Sequence, residues 1–351
     1  MFIRDALFAS ISRRCPLGTA HKQGLFRSFG RVLIQDSTNI SLPEYLADSF
    51  PGACNHRSRK KAGMKIQATY DLLAEQFADF DLSSFRRNDQ SASPDILKVA
   101  RKGDLVLRDL GYFVLSVFKK MNKMDIYFLS RLRNRVGIYC PRTRKRINLL
   151  AELNKHEILD IDVHVGYKER VPMRLVAVPV PEDVANQRRR KAKNNRDRRC
   201  HPSQECLRLL DWQILITSVD RCVWTTENVT AIYGIRWRIE IIFKAWKSHF
   251  DLTAIPRGSK AQVEAYVLAK LLYITLFQAF FHQINQHMIC KYNQSVSILK
   301  VAALLRNFPI LVLATLSQNT MDLIENILRV HCSYEKRKLR QNYFEKLSTL
   351  S

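Results

Sequence analysis

The sequence predicts a mixed α/β fold, on three observations. Short apolar runs with β-type patterning alternate with helical stretches between residues 29 and 135. Two further alternating runs, residues 158–165 and 171–178, flank a turn at 166–170 and read as paired strands. Beyond Ser259 the apolar residues recur at helical spacing over 261–287, 295–308 and 311–328. With 46% hydrophobic residues among 351, the chain can bury a sizeable core as one large or two modest domains.

The elements follow in order. Residues 1–28 show weak organisation and read as a poorly ordered leader or the remnant of something longer. An apolar strand then runs from Arg31 and ends in a carboxylate at Asp36. Alternation around Met64–Tyr70 predicts a second strand, and residues 77–82 a third. Asp89, Ser91, Ser93 and Pro94 supply helix-starting chemistry for a helix reaching about Ala100. Residues 103–109 form another apolar strand ending in Asp109, followed by a helix to Lys120 and a strand over 125–131. Three strands, a helix, a strand, a helix and a strand make up the ribonuclease H-like layout, a mixed sheet with helices on its faces. The stretch between Asp109 and the next candidate carboxylate is too long for a simple connection, so residues 136–210 read as an insertion that holds the paired strands at 158–165 and 171–178. Asp211 and Trp212 then bring the chain back to the core as a strand.

Residues 233–247 are the most informative stretch. They lack Pro, hold one Gly and are otherwise good helix formers, with Thr226 or Asn228 as candidate caps and Glu227 near the start. On one continuous helix, Tyr233, Arg236, Glu240 and Lys247 fall within an arc of roughly 60°. Ile235, Ile239, Ile242, Phe243 and Trp246 form the adjoining stripe, with Trp237, Ile241 and Ala245 covering much of the rest. A helix apolar nearly all round is buried, so a carboxylate on it needs a partner charge, a metal or a polar cleft. The plainer reading is a pair of i,i+4 ion pairs, Arg236–Glu240 and Glu240–Lys244. The apolar flanks argue against a solvated face.

The spacing Y-x2-R-x3-E-x6-K, set in RW-x-IE-x2-FK-x2-K, resembles the signature of the DDE transposases of the insertion-sequence-four family. The resemblance covers about residues 29–290. It implies that Glu240 is the third metal-binding carboxylate and that Tyr233, Arg236 and Lys247 serve the DNA end. Asp36 in IQDST and Asp109 in RDLGYF match the family's first and second Asp motifs. Alone, an Asp after a strand is most often a turn former or helix cap. With Glu240 and the strand order, the catalytic reading is the stronger one, whereas Asp104, Asp125, Asp160 and Asp162 lack that context and read as structural. The resemblance also implies cut-and-paste transposition through hairpinned ends, with Trp212 stacking on a flipped base. Trp212 read by itself is an ordinary core indole at a strand start.

Three carboxylates suit two Mg²⁺ (or Mn²⁺) ions, which take oxygen ligands and drive phosphodiester chemistry. The expected partner is double-stranded DNA, at element ends and target, met by a homodimer. The charge agrees: 57 Lys and Arg against 32 Asp and Glu give +25, which suits a polyanion. The run at 187–199, with Arg188, Arg189, Arg190 and Lys191, is either a solvated basic helix face or a phosphate contact. Eight scattered cysteines without a Cys-x2-Cys pair argue against a zinc ribbon. No apolar segment is read as long enough to cross a bilayer, and Asp5 interrupts any signal peptide, so the expected setting is cytoplasmic, at the nucleoid, with no membrane partner.

The expected organisation is a leader (1–28), a first core part (29–135), a β-rich insertion (136–210), a second core part with the Y-R-E-K helix (211–290), and a helical C-terminal region with a basic tail (291–351). Family members carry a longer helical N-terminal region than this sequence has. The rival expectation is therefore a truncated or decayed transposase acting only as a DNA-binding protein.

Overall fold

In the computed structural model, residues 2–12, 24–53, 61–194, 201–308 and 321–333 are described. Helix α1 (Phe2–Ser12) precedes strands β1 (Val32–Leu42), β2 (Ala62–Asp71) and β3 (Gln76–Ser84). Short helices α2 (Asp89–Ala92) and α3 (Ile96–Val99) lead to β4 (Leu105–Arg108), α4 (Leu115–Lys123) and β5 (Tyr127–Arg131). The ribonuclease H-like order expected from the sequence is therefore present, in a mixed α/β chain. The insertion holds β6 (Ile138–Tyr139), α5 (Leu149–Leu153), β7 (Leu159–Val165), β8 (Val171–Pro179), α6 (Glu182–Lys193) and α7 (Gln204–Leu209). After β9 (Trp212–Thr217) the chain is helical: α8 (Thr226–Ile235), α9 (Arg238–Ser248), α10 (Lys260–Tyr292), α11 (Ile298–Asn307) and α12 (Met321–His331).

These elements fall into two compact units. The first comprises Met1–Gly24, Ile34–Asn88 and Trp237–Ser351, and the second Leu25–Leu33 and Asp89–Arg236. In the second unit β4 and β5 run parallel, as the crossover through α4 requires. Strand β9 pairs antiparallel with β5 on one side and with β8 on the other, and β7 and β6 continue outward from β8. The insertion strands thus extend the core sheet of this unit. Their apolar residues Val163, Val171, Leu175 and Val176 are buried with Leu215 and Ile216 of β9.

In the first unit β2 is buried along its whole length and pairs antiparallel with β3. Residues 2–12, expected as part of a poorly ordered leader, instead form a helix. Leu7 and Ile11, four residues apart and so on one face, are buried, and α1 packs on α10. Helix α10 overturns another expectation: at 33 residues it is long and apolar enough to cross a membrane by length and composition. It nonetheless buries Gln278, His282 and Asn285, and His282 Nδ1 lies 2.8 Å from Glu75 Oε2. Its buried polar groups find partners inside the first unit. The basic tail at 335–340 and most of the expected helix at 311–328 lie outside the described residues.

Candidate active site

The stretch 233–247 is two helices. At Arg236 and Trp237 the chain makes a tight turn, with Arg236 N–H donating to Tyr233 O and Glu240 N–H to Trp237 O, each at 3.2 Å. These i+3 bonds replace the i+4 ladder and divide α8 from α9. Trp237, expected on a buried helix, is 60% exposed at that turn. The cap is Thr225, whose hydroxyl accepts from Asn228 N–H, in place of Thr226 or Asn228. Tyr233 and Arg236 therefore belong to the second unit, and Glu240 and Lys247 to the first.

In the second unit Asp109 follows β4 directly and precedes a single 3₁₀ turn, Leu110–Tyr112. Its position is that of an N-cap, yet its side chain makes no capping hydrogen bond. The carboxylate instead accepts from the Tyr233 hydroxyl at 3.4 Å and faces the Arg236 guanidinium at 4.0 Å. Burial pushes the Tyr233 hydroxyl pKa up despite the nearby Arg236 charge, so the phenol stays a donor. Beside Asp109, the side chain of Arg108 is fully buried between Tyr112 and Phe118 and donates to Ser93. Desolvation brings its pKa down to about 9. Strand alternation sends these neighbouring side chains to opposite faces.

In the first unit Asp36 lies within β1, not at its end: the strand runs on to Leu42. Burial relaxes there, from the buried Val32–Leu33–Ile34–Gln35 run to half-exposed Asp36 and Ser37. Asp36 Oδ1 accepts from Ser37 N–H at 2.8 Å. Glu240 is the third residue of α9 and lines an open cleft of about 440 Å³ with Phe243, Lys244, Lys247 and Ser248. Lys247 lies in the last turn, where helix dipole and cation agree. Partial desolvation lowers its pKa.

The seat of α9 is aromatic and ionic. Trp246 packs on Phe77 and Phe80 of β3, ring centroids 5.0 and 5.8 Å away, and on Phe243 at 4.9 Å. Arg238, 2% exposed, reaches Glu75 Oε1 at 3.5 Å, and Glu75 also holds His282 of α10. Glu75 adopts a left-handed backbone (φ 49°), uncommon for a residue with a Cβ. This buried cluster escaped sequence reading, because Arg238 there looks like one more polar helix residue.

The basic run divides. Arg188 is half-buried and donates to the carbonyls of Leu210 (3.4 Å) and Trp212 (3.2 Å), while Arg189 pairs with Asp211. Arg190 and Lys191 are exposed. Trp212 is half-exposed at the start of β9, opposite Pro179 of β8. The described cysteines, Cys140, Cys206, Cys222, Cys290 and Cys332, are free thiols. Asp36, Asp109 and Glu240 are hard anionic oxygen donors of the kind Mg²⁺ or Mn²⁺ takes. Among the described residues, no three His, Cys, Asp or Glu side chains are gathered as a ready metal cage.

Within this mixed α/β chain the second unit thus sets a carboxylate directly after β4, with a tyrosine and an arginine directed at it. Residues 27–276 match the family model described as transposase DDE domain, and the chain belongs to that family. It is 26% identical over 338 residues to the transposase for insertion sequence element IS231C of Bacillus thuringiensis subsp. berliner, covering 91% of this chain and 70% of the relative. It is 32% identical over 227 residues to the putative transposase InsL for insertion sequence element IS186A of Escherichia coli (strain K12), covering 60% of this chain and 59% of the relative. A solved piggyBac transposase synaptic complex with hairpin DNA aligns with a TM-score of 0.43 and 8% identity, over 90% of this chain and 60% of that one.

Proposed function

We propose that this transposase-family chain performs metal-dependent phosphodiester cleavage and strand transfer on double-stranded DNA at the ends of a mobile element, by cut-and-paste transposition. The observation that carries the reading is the Asp109 corner. A carboxylate in a cap position that caps nothing, with a phenol and a guanidinium turned toward it, is built for something other than the turn. Asp36, Asp109 and Glu240 would hold two Mg²⁺ or Mn²⁺ ions; support comes from their donor chemistry and from family membership rather than from a ready-made cage. Bound there, the ions would activate the attacking oxygen and stabilise the leaving one.

The chain's own residues supply the rest. Arg236 and Lys247 offer positive charge for a phosphate, Arg236 as a planar fork and Lys247 as a point charge. The Tyr233 hydroxyl, kept protonated, donates a hydrogen bond. Half-exposed Trp212 offers a stacking face to an unpaired base, and the carbonyl bond from Arg188 steadies its backbone. Arg190 and Lys191 face solvent, available to phosphate. The working form is a homodimer on DNA in the cytoplasm, at the nucleoid, without a membrane partner.

The test is nicking of an end-bearing duplex in Mg²⁺ or Mn²⁺ by the unmodified chain, Asp36→Asn and Glu240→Gln. The unmodified chain should nick, and both variants should fall below detection. A variant that keeps cutting removes its residue from the site. An unmodified chain that binds DNA but never cuts establishes the binding-only alternative.

A further inference from the structure

A second cation cluster of the second unit lies outside the run at 187–199. Between Arg131 and Ile147 there are seven Arg and Lys and no Asp or Glu. Arg133, Arg135, Arg142, Arg144, Lys145 and Arg146 are all exposed. Among the described residues none of the six takes part in an ion pair, in contrast to Arg31, Arg174 and Arg189 of the same unit. Arg133, Arg135 and Arg146 line one cleft of about 330 Å³, with Asn134 and Asn148 beside them and a single carboxylate, Glu205.

This tip is fixed in shape. Cys140 N–H donates to Lys145 O and Arg144 N–H to Cys140 O, each at 2.9 Å, closing the loop. Arg170 lies flat over the Tyr139 ring at 3.5 Å and donates to the carbonyls of Tyr167 (3.0 Å) and Arg144 (3.3 Å). The loop at 140–145 and the turn at 167–170 are thereby tied together. Arg135 and Arg144 hold left-handed backbones, φ 65° and 57°. Gly or Asn would adopt these conformations with less strain. A long cation at a strained turn, with no ion pair among the described residues to justify it, points to a ligand.

We propose that this tip is a contact surface for the phosphate backbone of duplex DNA, engaged through charge and shape and not through base edges. The inference rests on the DNA-acting reading above and adds a surface to it. An anionic membrane is the weaker match: Tyr167, 73% exposed, is not accompanied by the apolar face that an inserting surface needs.

The experiment is a salt titration of binding to a labelled duplex by fluorescence anisotropy. It compares the unmodified chain, a variant carrying Arg142→Gln, Arg144→Gln, Lys145→Gln and Arg146→Gln, the single variant Arg144→Gly, and, as a control that should bind normally, Lys155→Gln, which removes a cation already paired with Glu152. The fourfold variant should make the log–log salt slope shallower by at least about 2, since each phosphate contact contributes roughly 0.9. A smaller change overturns the proposal. Arg144→Gly should hold or raise the thermal midpoint while flattening the slope by about 1. A lower midpoint with unchanged binding would make Arg144 structural and overturn the proposal. If the fourfold variant fails to fold, the single variant decides. Tip-dependent binding to phosphatidylserine vesicles, with duplex binding unaltered, would also overturn it in favour of a membrane. No salt-sensitive DNA binding by the unmodified chain would instead defeat the DNA-acting reading itself.

Discussion

Strand β4 carries an aspartate at each end, and the two could hardly be used more differently. Asp104, just before the strand, is 3% exposed. It accepts from Arg31 Nε at 3.0 Å, from an Arg31 terminal nitrogen at 2.5 Å and from Arg101 N–H at 2.8 Å. Asp109, just after it, has a side chain 42% exposed, with Tyr233 at 3.4 Å and Arg236 at 4.0 Å. Close, short, buried contacts consume a carboxylate; longer ones from an open corner leave it room for a ligand. Asp160 is of the first kind. Although burial opposes its ionisation, bonds from Arg174 and Thr226 and the charge of Arg221 hold its pKa below the usual value. Glu325 in the first unit is of the same kind, held by Lys291, Tyr292 and His287.

This contrast makes stability and activity separable. The largest stability effect is expected at Asp104. Asp104→Ala leaves the Arg31 guanidinium without its carboxylate in a largely buried setting and should cost about 3 kcal/mol. Urea unfolding monitored by fluorescence measures it, and a loss under about 1 kcal/mol would place Asp104 with the solvated pairs.

A smaller effect, confined to acid, is expected at Glu325. Lys291 foremost, then Tyr292, bring its pKa from 4.5 down to about 2, against the opposing effect of burial. Because the folded value lies below the unfolded one, the stabilisation is complete above 4.5 and is lost as pH falls toward about 2. Unfolding midpoints taken across that window should decline less in Glu325→Gln than in the unmodified chain. Parallel declines would show that other carboxylates govern acid unfolding.

The sequence made much of this legible, for identifiable reasons. The runs at 103–109, 125–131, 158–165 and 171–178 became strands because apolar patterning there is decided by burial. Asp104 and Asp160, read from context as structural, are both held in ion pairs. The break between α8 and α9 was not, since nothing in Arg236-Trp237 forbids a helix and the turn is made by two shifted hydrogen bonds. Helix α1 was passed over because it is short and its buried face rests on α10, a contact far away in sequence. The Glu75–Arg238–His282 cluster joins three distant segments in the same way. The run at 187–199 drew notice by its density of charge. Yet Arg188 and Arg189 are spent on the backbone and on Asp211, whereas the less conspicuous 131–147 segment keeps its cations outside ion pairs among the described residues. Charge counts do not distinguish the two; partners do.

The most direct test sets the two ends of β4 against each other. Asp109→Asn and Asp104→Asn are each measured for thermal midpoint and for Mg²⁺-dependent nicking, with nicking assayed well below both midpoints. Asp109→Asn should keep the midpoint of the unmodified chain and lose nicking entirely, because it removes the charge proposed to hold the metal while leaving an amide oxygen for the long Tyr233 contact. Asp104→Asn should lower the midpoint and, where still folded, keep nicking. Nicking that survives in Asp109→Asn would contradict the account at its centre.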